Sequence, residues 1–379
     1  MLVAAALAQY VDTVPLHSRG AGRSIAASLL PALSGGAPSA LLQQAEQGAT
    51  DRARSPWQGH HKHGWRLASR HRHGRRLVQF THIPKTGGAS FVEDLTSIQA
   101  MGLSACSWLH TGSHNYVAWA KDISEKGVPR FLKSWDPSKG GCNFFTFEKQ
   151  RAVLQNLTKP ALDAVPDVNV TELVLLREPT THVPSMFMHC QMGTGLERHN
   201  YTRINISQWL SAYDEGSVAN AWDVCGYRPR DKQVCVLGDC TIGEEHVKPQ
   251  MAEALGRARA VVRNAYFVGI LEYYGLSLCV LNVKLHGLSK APTGCQCKEA
   301  RAEPKLKETH RTHGTQPEYL TLTGADIGAI GRLTANDRIL YSEGLLRFLT
   351  EVEEAGLSCW LEAEPADATD RILLSLGRL

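Results

Sequence analysis

Three short apolar runs in this chain each end at a turn and lead into a segment of helical periodicity, and that alternation dictates an α/β fold. The first run is Leu77-Val78-Gln79-Phe80-Thr81-His82, which reads as a short buried strand closed by a Pro-Lys-Thr-Gly-Gly turn. Phe91, Val92, Leu95 and Ile98 then recur at helical spacing, with Ser90 placed to cap the helix. The second run, Glu172-Leu173-Val174-Leu175-Leu176, is nearly all apolar, as a strand buried on both faces requires. It stops at Arg177-Glu178-Pro179, and a helix is expected to follow through Met188 and Cys190. The third, Ala265 to Ile270, lies between expected helices at about 251–262 and 273–285, and a last amphipathic helix is expected over about 334–352. Strands alternating with helices predict a parallel sheet flanked by helices on both faces. In such sheets ligands bind beyond the carboxyl ends of the strands. Lys85 and Arg177 both follow such ends and are expected to face one site.

The charge is uneven in a way that narrows the function. Residues 51–76 hold eight Lys/Arg against one acid, so residues 77–379 carry a net −3 although the whole chain is at +4. A general nucleic-acid binder, which neutralises phosphates over a wide basic face, is therefore not expected. Residues 31–59 are rich in Ala, Gly, Ser, Gln and Pro, and two His/Arg-rich tracts follow. This predicts a disordered, low-complexity basic leader or stem over 1–76, a folded domain over 77–360 and a tail over 361–379. The apolar run Met1–Val11 is shorter than the roughly 20 residues that span a bilayer and lacks a basic flank, so membrane association is expected only through a segment not evident in this sequence. Ten cysteines and four N-x-S/T sequons, at Asn156, Asn169, Asn200 and Asn205, point to disulfides and to the secretory pathway.

The chemistry concentrates in His82-Ile83-Pro84-Lys85-Thr86-Gly87-Gly88-Ala89-Ser90-Phe91. Gly87 and Gly88 let backbone approach an anion closely, and the helix start beyond them presents free N–H groups and the positive end of its dipole. Lys85 adds a full charge, and Thr86 and Ser90 add hydroxyls. The lysine precedes the glycines, so this is not a Walker A loop. The string resembles the 5′-phosphosulfate-binding loop of the Golgi carbohydrate sulfotransferases, which include the heparan sulfate 2-O- and 6-O-sulfotransferases and the galactose and uronyl sulfotransferases. Leu175-Leu176-Arg177-Glu178-Pro179-Thr180-Thr181-His182-Val183-Pro184-Ser185 resembles that family's 3′-phosphate-binding stretch, where a strand-end Arg is followed eight residues later by a helical Ser. Phe267–Glu272 and Asn336–Tyr341 are similar to a later core strand and to the closing helix.

The resemblance implies a single sulfotransferase domain with a P-loop-like sheet and 3′-phosphoadenosine 5′-phosphosulfate (PAPS) as donor. It assigns Lys85, Thr86, Gly87, Gly88, Ala89 and Ser90 to the 5′ end of the donor, and Arg177 and Ser185 to the 3′-phosphate. A glycan hydroxyl is the implied acceptor and the Golgi lumen the implied compartment. Lys85 would neutralise the charge that develops on the departing 3′-phosphoadenosine 5′-phosphate (PAP), with no metal required. For the general base the candidates are His114, with His110 beside it, and Glu93 on the first helix. The Gly-His of the 2-O enzymes is missing at Gly141-Cys142-Asn143-Phe144, Ala89 replaces a common hydroxyl residue, and His182 stands where Arg is common. The basic run Lys305–Gly314 is a candidate for a loop over the nucleotide. Trp209 and Trp222, within the segment 186–260, are candidates for acceptor contacts or for core. The competing expectations are a glycan- or nucleotide-binding relative without turnover, and a P-loop kinase, which would need the absent Walker A loop.

Overall fold

In the computed structural model, which describes residues 75–97, 103, 144–147, 168–191, 203–214, 227–240, 248–287, 295–296 and 320–363, the sheet begins at Arg75, two residues before Leu77. Strand β1 spans Arg75–Thr81, and helix α1 spans Gly88–Ser97. The helix starts before Ser90, which therefore lies inside the first turn instead of capping it. Positive φ at Lys85 (65°) and Gly87 (79°) folds the loop tightly, and the first helical bond already runs from Phe91 N–H to the Gly87 carbonyl at 3.0 Å.

Next come β2 (Phe144–Phe147), β3 (Val168–Leu176) and α2 (Pro179–Gln191). α3 (Ile206–Asp214), α4 (Lys232–Leu237) and α5 (Lys248–Asn264) lead to β4 (Phe267–Ile270). A 3₁₀ turn over Leu271–Tyr273 feeds α6 (Tyr274–His286). α7 (Gly324–Leu333), α8 (Ala335–Glu354) and α9 (Cys359–Ala363) follow. The N-terminal leader read at 1–76 lies outside the described residues except for Arg75 and Arg76, and so does the tail beyond Ala363.

The described strands form one parallel sheet in the order β2-β1-β3-β4. From β1 the chain moves outward on one side to β2, then returns to β3 and continues to β4 on the other. The winding direction thus reverses between β1 and β3, and in open parallel sheets the crevice at such a reversal receives the ligand.

Parallel pairing puts Phe80 beside Leu173, and Val174 beside Val268, so these two pairs project to opposite sides of the sheet. Phe91 of α1 packs on Phe80 with ring centroids 5.0 Å apart. On the other side α8 comes so close that a Cβ at Gly344 would sit 2.3 Å from Leu176 Cδ1 and 3.5 Å from Val268 Cγ1. Helices therefore cover both faces of this part of the sheet, which is why residues 173–176 of β3 and Phe267–Ile270 of β4 read as near-continuous apolar runs. Phe80, Phe91, Leu173, Leu175 and Phe267 are fully buried, each such burial contributing about 1.5–3 kcal/mol.

A second apolar cluster joins α2, α3 and α7 through Phe187, Trp209, Tyr213 and Ile330. α2 packs against both α7 and α8 and is buried nearly all round. Disulfides link Cys235 to Cys240 and Cys279 to Cys295, and none of the described cysteines is free. Such pairing points to an oxidising compartment. No helix among the described residues is long and apolar enough to cross a membrane.

Candidate functional site

β1 and β3 are neighbours and parallel, so the loop after Thr81 and the turn after Leu176 emerge side by side. Arg177 Nη1 donates to the Lys85 carbonyl at 2.9 Å, and its Nε donates to Thr181 Oγ1 at 3.1 Å. The guanidinium is thus held in the mouth of the glycine loop by two of its five donors. Thr86 is fully buried, and its hydroxyl donates to the Ile83 carbonyl at 2.8 Å. That hydroxyl shapes the loop instead of facing outward. Gly88 is needed for packing, because a Cβ there would lie 2.0 Å from the His82 ring. The N–H groups of Gly88, Ala89 and Ser90 precede the first intrahelical bond and are left to a ligand or solvent. Ala89 is exposed and Ser90 half-buried at this helix start.

His182 locks the two segments together. It is fully buried, and its Nε2 lies 2.7 Å from the Pro84 carbonyl. A carbonyl only accepts, so Nε2 carries the proton and Nδ1 is bare; Nδ1 has no partner. Burial pushes the imidazole down to about 3, against the pull of the Pro84 bond, and the charges of Arg177, Lys232 and Lys85 push the same way. The charges of three cations therefore act on one neutral histidine. Ser185 is buried on α2 one turn beyond Thr181, on the same helix face. Glu178 caps that helix, its Oε2 accepting from Thr181 N–H at 2.9 Å.

The Arg177 backbone is fixed from a third direction. The buried Gln233 amide accepts from Arg177 N–H at 3.0 Å and donates to the Arg177 carbonyl at 2.7 Å. Gln233 is in turn set by α8. Asp337 Oδ2 and Oδ1 accept from Gln233 and Val234 N–H at 3.2 and 2.8 Å, capping α4. Asp231 Oδ1 accepts from Asn336 and Asp337 N–H at 2.9 and 3.1 Å, capping α8. Burial and the Asp231 charge push the Asp337 carboxyl well above the usual carboxylate range.

A fourth element reaches the same place. Leu271 Cδ1 would lie 2.5 Å from a Cβ at Gly87. Beside it, Glu272 Oε1 accepts from Glu178 N–H at 3.0 Å and from Thr181 Oγ1 at 3.3 Å, while Oε2 accepts from the Tyr341 hydroxyl at 3.1 Å. Burial lowers the Arg177 pKa, and Glu272 and Glu178 raise it.

Lys85, Thr86, Gly87, Gly88, Ala89, Ser90, Arg177 and Ser185 thus share one end of the sheet. Glu93 sits half-buried on α1 next to Asp94, whose carboxylate accepts from the Tyr274 hydroxyl at 2.6 Å. His110, His114, Gly141–Asn143, Lys305–Gly314 and Trp222 lie outside the described residues. Trp209 is fully buried against Phe187 and Tyr213, at 5.5 and 5.7 Å, and is core. Lys232, Gln233, Glu272 and Tyr341 were not singled out as site residues by the sequence. For Glu272 and Tyr341 the only signals are the likeness of Phe267–Glu272 to a family strand and of Asn336–Tyr341 to the closing helix; Lys232 and Gln233 carry none. No protein-family model matches this chain, and no curated protein matches it.

Proposed function

We propose that this protein is a PAPS-dependent sulfotransferase that transfers a sulfuryl group to a hydroxyl of a carbohydrate in the Golgi or another secretory compartment. The observation that carries the reading is the 2.9 Å bond from Arg177 to the Lys85 carbonyl, which joins two anion-binding elements at the point where the sheet reverses. A bisphosphorylated nucleotide needs two such elements. The α1 N-terminus with Lys85 fits the phosphosulfate end, and Arg177 with Ser185 fits the 3′-phosphate. The cations Lys85, Arg177 and Lys232, whose charges all act on His182, supply the matching charge.

The acceptor oxygen attacks sulfur in line; the new O–S bond forms as the bond from sulfur to the phosphate oxygen breaks. Lys85 and the amides of Gly88–Ser90 stabilise the charge that collects on that leaving oxygen. The acceptor proton passes to a general base, for which Glu93 and His114 are the candidates.

The test is thermal melting with PAP and with ATP·Mg²⁺, followed by incubation with radiolabelled PAPS and desulfated polysaccharides. PAP is expected to stabilise, and Lys85→Ala to abolish label transfer while keeping the wild-type melting point without ligand. Stabilisation by ATP·Mg²⁺ alone would replace the reading with a kinase. PAP binding without transfer to any acceptor would make the chain a non-catalytic relative.

A further inference from the structure

Glu272 is an acid placed next to an arginine meant for an anion, where a negative charge by itself would weaken binding. Its contacts account for it. One carboxylate oxygen accepts from the Glu178 amide at 3.0 Å and from Thr181 Oγ1 at 3.3 Å; the other accepts from Tyr341 at 3.1 Å. Thr181 Oγ1 in turn accepts from Arg177 Nε at 3.1 Å. That hydroxyl has one hydrogen, shared between Glu272 and the Glu178 carbonyl at 3.0 Å. Glu272 thereby turns the threonine lone pair toward Arg177. The chain Tyr341–Glu272–Thr181–Arg177 runs from α8, through the turn after β4, to the start of α2. Glu272 is exposed to solvent, yet groups from the β3–α2 junction, α2 and α8 hold both of its carboxylate oxygens.

We propose that Glu272, braced by Tyr341, is a positioning residue that aims the Arg177 guanidinium and holds the first turn of α2 for the 3′-phosphate of the donor. This rests on the donor reading above. The groups facing Glu272 are Arg177 and Glu178 at the β3–α2 junction and Tyr341 on α8. Burial raises its carboxyl above the ordinary range, opposed by the Glu178 amide and the Arg177 charge. A phosphate dianion arriving beside it raises the carboxyl further, so binding takes up a proton. Affinity for PAP then increases as pH falls through the Glu272 transition.

Two measurements test this. Hydrogen exchange of the ligand-free full chain reads the clamp alone. Glu272→Ala is expected to speed exchange at the amides of Glu178, Thr180, Thr181 and His182, whereas Glu272→Gln, which keeps the accepting oxygen and offers an N–H to Tyr341, keeps them protected. Titration with PAP reads its consequence. Glu272→Ala is expected to weaken binding by about tenfold or more, since hydrogen bonds to a charged group are lost. Glu272→Gln is expected to restore affinity to within about threefold of wild type and to flatten its pH dependence. Under turnover the loss in Glu272→Ala falls on KM for PAPS more than on kcat. Unchanged exchange in Glu272→Ala, or a Glu272→Gln variant as weak as Glu272→Ala, overturns the proposal. Failure of the wild type to bind PAP refutes the donor reading instead, and the exchange result still decides whether the clamp exists.

Discussion

His182 shows how one side chain couples the fold to pH. Its imidazole titrates near 6.5 when free and is pushed to about 3 in the fold. As pH falls, the unfolded chain takes up the proton first. The stability tied to the neutral ring is therefore complete above about pH 6.5 and declines as pH falls toward 3. By pH 5 the loss is about 2 kcal/mol. Denaturant titrations between pH 7.5 and 5 should show that decline, and His182→Gln, which keeps a donor for Pro84 but cannot titrate, should flatten it. An equal slope in both proteins would mean that another group carries the acid sensitivity. The sequence marked His182 only as a departure from Arg in the resembling family. Its part in tying α2 to the loop after β1 spans 98 positions, and no local pattern announces such a contact.

At the scale of elements, what could be read was what periodicity and turn chemistry control. β1, β3 and β4, α1, α2, α5, α6 and α8 were all visible because burial on both faces, or on one stripe, leaves a repeating apolar pattern. β2 escaped because four residues at the edge of the described sheet leave too short a pattern. α4 escaped for a different reason. It is six residues long, and its cap comes from Asp337, 103 positions away from Val234, so its start carries no sequence signature of its own. Yet α4 is the element that fixes the Arg177 backbone. Gln233→Ala removes both bonds to Arg177 and leaves a part-buried N–H and carbonyl without their partner, a cost of about 2 kcal/mol. Equilibrium unfolding should show that loss, and PAP titration should show weakened binding, since the strand end that presents Arg177 is released. A Gln233→Ala protein within about 0.5 kcal/mol of wild type would mean that solvent or another group satisfies the strand end.

For the whole molecule, alternation in the sequence is enough to predict a parallel α/β sheet with Lys85 and Arg177 just past its strand ends, because connection rules leave few alternatives. Strand order was not readable, since which strand neighbours which depends on packing between helices far apart in sequence; the reversal between β1 and β3 emerged only in three dimensions. The cysteines announced disulfides but not their pairing. Cys279 on α6 is joined to Cys295 across 16 positions, and both are buried. The Cys295 carbonyl also accepts from Trp360 Nε1 at 3.3 Å, so the bridge anchors α9 to the main core. Closing a loop of this length restricts the unfolded chain by about 3 kcal/mol. The double variant Cys279→Ala, Cys295→Ala should therefore unfold at lower denaturant by about that amount, and reductant should destabilise the wild type while leaving this bridge's contribution absent from the variant. PAP binding should survive in the variant below its unfolding transition, because neither sulfur contacts the Lys85–Arg177 edge. Equal stability with and without the bridge would indicate that the reduced α6 segment is already held by the apolar core alone.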